Sequence, residues 1–297
     1  VYKRQGEHRP PRRWRRRNLA VANHEHRGVA LLSWYANHGR RFPWRIDSDP
    51  WSVLVSEIML QQTQAARVVP FFQHLLARYP SPEALATAPP AEVLAVWSGL
   101  GYNRRAIRLQ EAARRIVADG WPSDPDGLER LPGIGPYTAA AVACFAFGAQ
   151  LPTIETNLRR VLNRWYGRVL TGEELTKTAR RELPPDRAAD WNQAVMDLGA
   201  TLCRPREPHC SDCPVIEWCA GPETYVSPRA QPHFRGSNRE ARGAIIRTLV
   251  EQGPATDRQL STETDLDPSR LEKALQALVA EGLVEPTGSG AYRLPGP

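Results

Sequence analysis

Four cysteines in the C-terminal half of the chain could together hold a metal centre. They follow the spacing C-x6-C-x2-C-x5-C, at Cys203, Cys210, Cys213 and Cys219. We see no secretory signal peptide, and clustered thiols inside a cell serve metal binding more often than disulfides. Four thiolates hold structural zinc and also iron–sulfur clusters, so the residue types alone leave both metals open. A fifth cysteine, Cys144, lies in an apolar stretch and is interpreted as a core residue.

Two glutamates are candidates for acid–base or electrostatic chemistry. Glu57 lies in the apolar run 51–60, WSVLVSEIML, which predicts a core helix. An ionised carboxylate on a buried helix is costly unless it is paired or functional, so a salt-bridged helix residue is the structural alternative. Glu155 follows a Leu-Pro loop and precedes another helix, whose N-terminal cap we predict at Thr156 or Asn157.

Residues 131–136, LPGIGP, predict a tight turn between two helices. Gly133 and Gly135 supply backbone freedom that residues with a Cβ atom lack. Pro136 can open the next helix, because the first helical turn has no partner for the missing N–H group. Such a turn leaves backbone N–H groups at a helix N-terminus, which suits a phosphate oxygen. The small, apolar segment 138–147 predicts that the second helix is buried.

These runs carry a resemblance to a known family. The stretch 131–157 and the run PWR…SEIMLQQTQ over 43–64 resemble the helix-hairpin-helix DNA glycosylases, and within them the MutY-like adenine DNA glycosylases. The cysteine spacing is similar to the [4Fe–4S] loop of endonuclease III and of MutY-like enzymes, which makes zinc the alternative metal. The resemblance covers 27–222 and implies a mainly α fold of two helical domains with a [4Fe–4S] loop.

The resemblance implies roles for the catalytic residues. Glu57 is the acid that protonates adenine, and Glu155 stabilises the cationic sugar at a position where the family has Asp. Tyr137 stands where endonuclease III-type enzymes carry a Lys nucleophile, so base removal without strand cleavage is expected. Tyr137 and Asn157 are expected to position the sugar-side chemistry.

The resemblance also implies two groups of DNA-contacting residues. The base pocket is expected to be lined by Trp44, Arg45, Leu60 and Gln193. The duplex is expected to be contacted by Gln61, Gln62, Tyr102, Gly133 and Gly135. Among them, Gln61 is the expected wedge that fills the stack, and Tyr102 is a second intercalating side chain, with packing on a helix end as its alternative. The arginines that follow Tyr102 are predicted phosphate contacts, with a solvated charged face as the alternative: Arg104, Arg105 and Arg108.

The net charge of +7 is unevenly distributed over the 297 residues. Residues 1–17 carry eight Lys or Arg and one acid, whereas 236–297 carry seven Lys or Arg and nine acids. A DNA-binding face must therefore be a local patch. No apolar run approaches the ~20 residues that span a bilayer, so we expect a soluble protein of the cytoplasm, associated with the nucleoid.

The sequence predicts several segments around a glycosylase core. Residues 1–26 form a disordered basic tail or are not authentic, and 27–222 form the core. Within the core, 50–155 form a six-helix domain that contains the hairpin, and 27–49 with 156–222 form the iron–sulfur domain. Residues 223–237 are a linker, and 238–297 are a small winged-helix-like α+β domain that contacts DNA or a protein partner.

The leading hypothesis is a monomeric, monofunctional adenine DNA glycosylase of base excision repair. Its substrate would be double-stranded DNA with adenine mispaired with 8-oxoguanine or guanine. A mismatch thymine or uracil glycosylase is the close alternative, although Glu57 favours a purine because it would protonate a ring nitrogen. A non-catalytic lesion-binding protein, or a zinc-stabilised regulator built around the winged helix, are alternatives from other classes.

Overall fold

A computed structural model describes residues 24–224 and 233–296. Residues 1–23 of the predicted tail and 225–232 of the predicted linker therefore lie outside the described residues. Residues 24–26 of that tail belong to the first helix instead. The described residues are mainly helical with one small sheet near the C-terminus, which confirms the predicted fold class. In these two ranges no helix has the length and apolarity that a membrane span requires.

The first of two compact units contains residues 24–40 and 148–224. Its core is formed by Leu31 and by apolar residues of the later helices, including the buried Trp165 and Trp191. Two short 3-10 helices, Cys210–Asp212 and Ile216–Trp218, lie in the cysteine segment. The α-helices of this unit are α1 (His24–His38), α9 (Thr156–Tyr166), α10 (Gly172–Glu182) and α11 (Ala188–Thr201).

The second unit contains residues 41–147 and 233–296. A 3-10 helix, Pro43–Arg45, opens it. Its next helices are α2 (Pro50–Leu60), α3 (Ala65–Arg78), α4 (Pro82–Ala86), α5 (Pro90–Trp97), α6 (Arg104–Asp119), α7 (Pro125–Glu129) and α8 (Pro136–Phe147). The apolar helix α2 packs against α8, and α7 and α8 pack together as the two arms of the predicted hairpin.

Helix starts in this unit follow from local capping chemistry. Asp49, Ser81 and Asp124 each accept a hydrogen bond from a backbone N–H group in the first turn of α2, α4 and α7. Each cap is followed by proline at the first helical position, where the missing N–H group costs nothing. These starts are therefore readable from the sequence.

The C-terminal segment is a three-helix, three-strand domain of the winged-helix type. Its helices are α12 (Asn238–Gln252), α13 (Asp257–Thr264) and α14 (Pro268–Ala280), and its strands are β1 (Ala255–Thr256), β2 (Glu285–Pro286) and β3 (Ala291–Arg293). The sheet order is β1-β3-β2 with both pairs antiparallel, and Tyr292 pairs with Ala255 and Pro286. α12 packs against α14 and against α5, so this domain contacts the preceding helices within the second unit.

Candidate active site and nucleic-acid interface

Glu57 lies in the middle of α2 and is only 5% exposed. Every residue from Trp51 to Met59 is buried. A carboxyl group in such surroundings is disfavoured in its charged form unless neighbours compensate. The acid role inferred from the resemblance stays a prediction.

Arg105 stabilises the end of the helix that carries Glu57. Its Nη1 atom donates to the carbonyl oxygens of Ile58 at 3.0 Å, Met59 at 2.8 Å and Gln61 at 2.5 Å. Its Nη2 atom donates to the Gly101 carbonyl at 2.9 Å. The last carbonyls of a helix lack intrahelical donors, and Arg105 supplies them.

The burial of Arg105 changes its predicted role. The residue is 7% exposed, and burial lowers the pKa of its guanidinium to about 10. Because its donors point at backbone carbonyls, Arg105 is a structural residue and the prediction that it contacts phosphate is wrong. Arg104 and Arg108, by contrast, are exposed. The sequence could not separate the three arginines, since all lie on one amphipathic helix.

The two glutamines predicted to contact DNA, the expected wedge Gln61 and its neighbour Gln62, have different environments. The Nε2 atom of Gln61 donates to the Gly133 carbonyl and to the Thr138 hydroxyl, both at 3.2 Å. Gln61 therefore connects the end of α2 to the hairpin. Gln62 is exposed and has a φ of 58°, and Tyr102 is 39% exposed with a φ of 51°. Positive φ is uncommon for such residues and is often found at functional turns.

The hairpin has the backbone geometry that its glycines predict. Gly133 has a φ of 79°, and a Cβ atom there would approach the Arg108 side chain to 2.9 Å. Gly135 precedes α8, and its carbonyl accepts from the Ala139 N–H group at 2.9 Å. Tyr137 lies in the first turn of α8 and is partly buried. The first turn of α8 thus presents N–H groups that suit a phosphate.

The residues predicted to line the base pocket are placed as follows. Trp44 is 7% exposed, stacks on Phe42 at 4.8 Å between ring centroids and meets Phe72 edge-on. The Arg45 guanidinium lies 5.2 Å from the Phe42 ring centroid, and Leu60 is the last residue of α2. In the first unit, Gln193 on α11 accepts a 2.5 Å hydrogen bond from the Tyr35 hydroxyl. These contacts fix Trp44 and Gln193 by packing and hydrogen bonding.

Glu155 is itself the N-terminal cap of α9. Its Oε1 atom accepts from the Leu158 N–H group and its Oε2 atom from the Asn157 N–H group, both at 2.7 Å. The prediction of a cap at Thr156 or Asn157 is therefore wrong, because the longer Glu side chain folds back onto the helix end. Burial raises the pKa of Glu155, while the two N–H donors and nearby Arg160 oppose that rise.

A hydrogen-bond path leads from Glu155 to the cysteine segment. The Asn157 Nδ2 atom donates to Glu155 at 3.1 Å, and Arg160 donates to the Asn157 side-chain oxygen at 2.7 Å. The Nε atom of Arg160 also donates to the Cys203 carbonyl at 2.9 Å. Gly199 permits this close approach, since a Cβ atom there would lie 2.6 Å from Asn157. The sequence did not single out Arg160 for this role.

The four predicted metal-ligating cysteines are partly buried in one segment of the first unit. The Cys203 sulfur accepts from the Arg164 Nη1 atom at 3.3 Å, and the N–H groups of Val215 and Gly221 donate to the sulfurs of Cys213 and Cys219. Hydrogen bonds to sulfur of this kind accompany thiolate-bound clusters.

By residue type, the four thiols fit a thiolate-bound group. Burial, with a smaller contribution from the neighbouring thiols, raises the pKa of Cys213 and of Cys219 to about 12. A bound cation would reverse this by stabilising the thiolates. Within the described ranges no three His, Cys, Asp or Glu side chains are arranged to hold a single metal ion. Cys144 is 1% exposed in α8, which agrees with its interpretation as a core residue.

Comparisons with known proteins show what the chain is similar to. Residues 55–185 match the family described as HhH-GPD superfamily base excision DNA repair protein. Adenine DNA glycosylase of Mycolicibacterium smegmatis is 42% identical over 281 residues, which is 90% of this chain and 96% of that protein. Human adenine DNA glycosylase is 40% identical over 208 residues, 64% of this chain and 38% of the human protein.

A solved structure of a thermostable thymine-DNA glycosylase has a TM-score of 0.66 at 30% identity, covering 69% of this chain and 99% of that one. The similarity to the mycobacterial relative extends further along the chain. Because residues 1–224 make up about three quarters of the sequence, an alignment over 90% of it must reach into the C-terminal segment. The winged-helix-like domain is thus partly included in that similarity.

Proposed function

Because the chain belongs to the HhH-GPD superfamily of base excision DNA repair proteins, and within it to the adenine DNA glycosylases, we propose that it removes adenine mispaired with 8-oxoguanine or guanine. The observation that carries this proposal is the 42% identity to an adenine DNA glycosylase over 90% of the chain. The substrate is double-stranded DNA that contains the mispair, and we propose that the protein acts as a monomer in the cytoplasm, at the nucleoid.

Glu57 is proposed to be the general acid. A nucleotide must leave the duplex before an enzyme can reach its glycosidic bond. Protonation of a purine ring nitrogen by Glu57 lets the base take up the bonding electron pair as the bond to the sugar breaks. The position of Glu57 in the middle of α2 and its 5% exposure support this role, because bulk water has little access to the carboxyl group.

Glu155 is proposed to stabilise the positive charge that develops on the sugar. Its two oxygens already accept N–H groups of Asn157 and Leu158, which orient the carboxylate and favour its charged form. The Oε1 atom has a second lone pair that can face the sugar, whereas Oε2 already accepts from both nitrogens of Asn157. Water then adds to the sugar carbon and loses a proton, which completes the hydrolysis.

Tyr137 and the pocket residues complete the proposed site. Tyr137 offers no amine for a Schiff base, so we propose base removal without strand cleavage. Asn157 holds Glu155 through its side-chain amide, which supports a positioning role. The other residues proposed to contact the base are Trp44, Arg45, Leu60 and Gln193, and those proposed to contact the duplex are Gln61, Gln62, Tyr102, Gly133 and Gly135.

The four cysteines are proposed to hold a [4Fe–4S] cluster. When bound, the cluster would serve as a cross-link that fixes the segment from Cys203 to Cys219 in place of an apolar core. The N–H groups aimed at Cys213 and Cys219 and the Arg164 contact with Cys203 support thiolate ligands. No step of base removal passes through this group.

Thymine or uracil removal from mismatches is the second candidate, favoured by the similarity to a thymine-DNA glycosylase structure. The decisive experiment uses the purified holoenzyme in excess over duplexes that carry adenine, thymine, uracil or hypoxanthine opposite guanine or 8-oxoguanine. We expect adenine release opposite both purines, with strand breaks only after alkali treatment. Release of pyrimidines alone would support the second candidate and contradict the first.

The same experiment tests the non-catalytic alternative. If the protein binds mispaired duplexes tightly but releases no base, and Glu155→Asp does not restore base release, the protein is a lesion-binding protein. The Glu57→Gln variant serves as the control for background base loss.

A further inference from the structure

A groove lies between the first helix of the C-terminal domain and two turns of the preceding helical domain, all within the second unit. It consists of two adjoining cavities of about 490 and 300 Å3. We call it the α12 groove. The residues that line both cavities are Gln62, Gly101, Tyr102, Asn103, Arg239 and Gly243.

The charge of the α12 groove is strongly positive. Among the described residues that line it, seven are arginines and one, Glu281, is an acid. Glu281 accepts two hydrogen bonds from Arg242, at 2.9 and 2.6 Å, so its charge is already compensated. Arg105 is buried against backbone carbonyls, which leaves five further arginines. A concave surface of this charge concentrates polyanions such as the phosphates of DNA.

This local charge differs from that of the domain as a whole, which carries seven Lys or Arg and nine acids over 236–297. α12 contributes Arg239, Arg242 and Arg247 to the groove. The C-terminal domain can therefore bind phosphate with one helix although its net charge is negative.

Arg239 also fixes a side chain of the catalytic part of the chain. Its Nη1 atom donates to the Tyr102 hydroxyl at 2.8 Å, and its guanidinium lies 5.9 Å from the centroid of that ring. The Arg105 guanidinium lies 5.3 Å from the same centroid. Tyr102 is thus held by one arginine from α6 and one from α12.

The position of Gln61 and Tyr102 in the groove indicates which part of the DNA it meets. A side chain that fills the gap left by an extruded base lies against the base that has lost its partner. We propose that the α12 groove binds the strand opposite the extruded adenine, with Arg247 meeting phosphate and Arg239 positioning Tyr102 against the orphaned base. This inference rests on the proposed function, since it takes Gln61 and Tyr102, which line the smaller cavity, as the wedge residues and Gln62 as a duplex contact.

The test measures binding by the full-length holoenzyme. The duplex carries a stable abasic-site analogue opposite 8-oxoguanine or guanine, and affinity is measured over a salt series. The variants are Arg247→Ala, Arg239→Ala and the double variant. Arg258→Ala, an exposed arginine on α13 that does not line the groove, is the matched control. Tyr102→Phe isolates the hydroxyl that bonds to Arg239.

We expect the double variant to bind roughly tenfold or more weakly at about 0.15 M salt, with a salt slope lower by about 1 for each lost phosphate contact. Arg258→Ala should bind as the wild type does. The proposal would be overturned if the double variant bound with wild-type affinity and salt slope and unfolded at the wild-type temperature. An acidic protein segment would then be the next occupant of the groove to test. Because the abasic duplex has no target base, this outcome is separate from a failure to release adenine.

Discussion

Arg160 donates from Nη2 to the side-chain oxygen of Asn157 at 2.7 Å. Through its Nε atom the same arginine holds the Cys203 carbonyl, and Asn157 in turn donates to Glu155. The proposed sugar-side carboxylate and the first proposed cluster ligand thus share one path of hydrogen bonds. A change at either end is expected to reach the other, because Arg160 is only 4% exposed and bulk solvent has little access to replace a lost partner.

Replacing Arg160 with alanine should therefore lower both stability and activity. The change removes the Arg160 donor from the Gly199 carbonyl and the Asn157 oxygen, at an expected cost of about 2–4 kcal/mol. The Cys203 carbonyl loses one donor but keeps the Arg164 Nη1 atom at 3.2 Å. Urea unfolding measures the stability and single-turnover kinetics measure base release. Arg159→Ala, an exposed neighbour on the same helix, is the control and should change neither quantity by much. Equal effects of the two substitutions would contradict the coupling.

Glu57→Gln should abolish base release and spare DNA binding. Glutamine has nearly the same shape but no proton of comparable acidity, so the loss should be about 10²–10⁴-fold in the single-turnover rate. Binding is measured on the abasic-analogue duplex, where no acid is needed. Glu111→Gln, an exposed glutamate on α6, should react at the wild-type rate. Undiminished turnover in Glu57→Gln would remove the acid role.

Glu155 should impose a pH dependence on base release. Burial raises its pKa above the ordinary value, so its charge is lost at a higher pH than for an exposed glutamate. We expect kcat/KM to fall as the pH decreases through this raised pKa, and Glu155→Gln to lose rate at every pH. If the pH at which kcat/KM falls is the same in Glu155→Asp as in the wild type, the pH dependence belongs to another group.

The stability that Glu155 contributes should change with pH in the opposite direction to the rate: it should be largest at low pH. A carboxyl group whose pKa is raised by folding stabilises the folded state most below its unfolded pKa, and the effect is lost as the pH rises through the folded pKa. Denaturant unfolding of the wild type and Glu155→Gln across that window should show this difference. Parallel curves would contradict the raised pKa.

Arg105→Ala should destabilise the second unit. Removal of the guanidinium strips donors from the carbonyls of Ile58, Met59, Gln61 and Gly101, and the expected loss is about 3 kcal/mol or more. Arg104→Ala, the exposed neighbour, should be close to neutral. Thermal unfolding of both variants compares them. A neutral Arg105→Ala would show that these carbonyls find other donors.

Cys213→Ala should remove the proposed cluster, whereas Cys144→Ala should not. An intact cluster gives a brown protein with absorbance at roughly 400 nm, together with iron and inorganic sulfide. We expect Cys213→Ala to lose colour, iron and sulfide, and to unfold at a lower temperature. Zinc in the wild type without sulfide would identify the alternative metal. Loss of colour in Cys144→Ala would contradict its assignment to the core, where it is 1% exposed.

The sequence alone determined the features that depend on short spacings. The hairpin turn, the proline-led helix starts and the clustered cysteines each involve residues a few positions apart, where spacing dictates which groups meet. The run around Glu57 and the hairpin are also contiguous segments, so their similarity to known glycosylases can be recognised in the sequence alone.

Only the tertiary structure decided how distant groups are used. Arg105 meets the Ile58 carbonyl across 47 residues, and Arg239 meets Tyr102 across 137. A buried arginine that holds backbone carbonyls and an exposed arginine that could contact phosphate have the same side chain. Only the residues packed around each arginine show which role it has. Even Glu155, one position from the predicted cap, required the backbone conformation to show that its carboxylate closes the helix end.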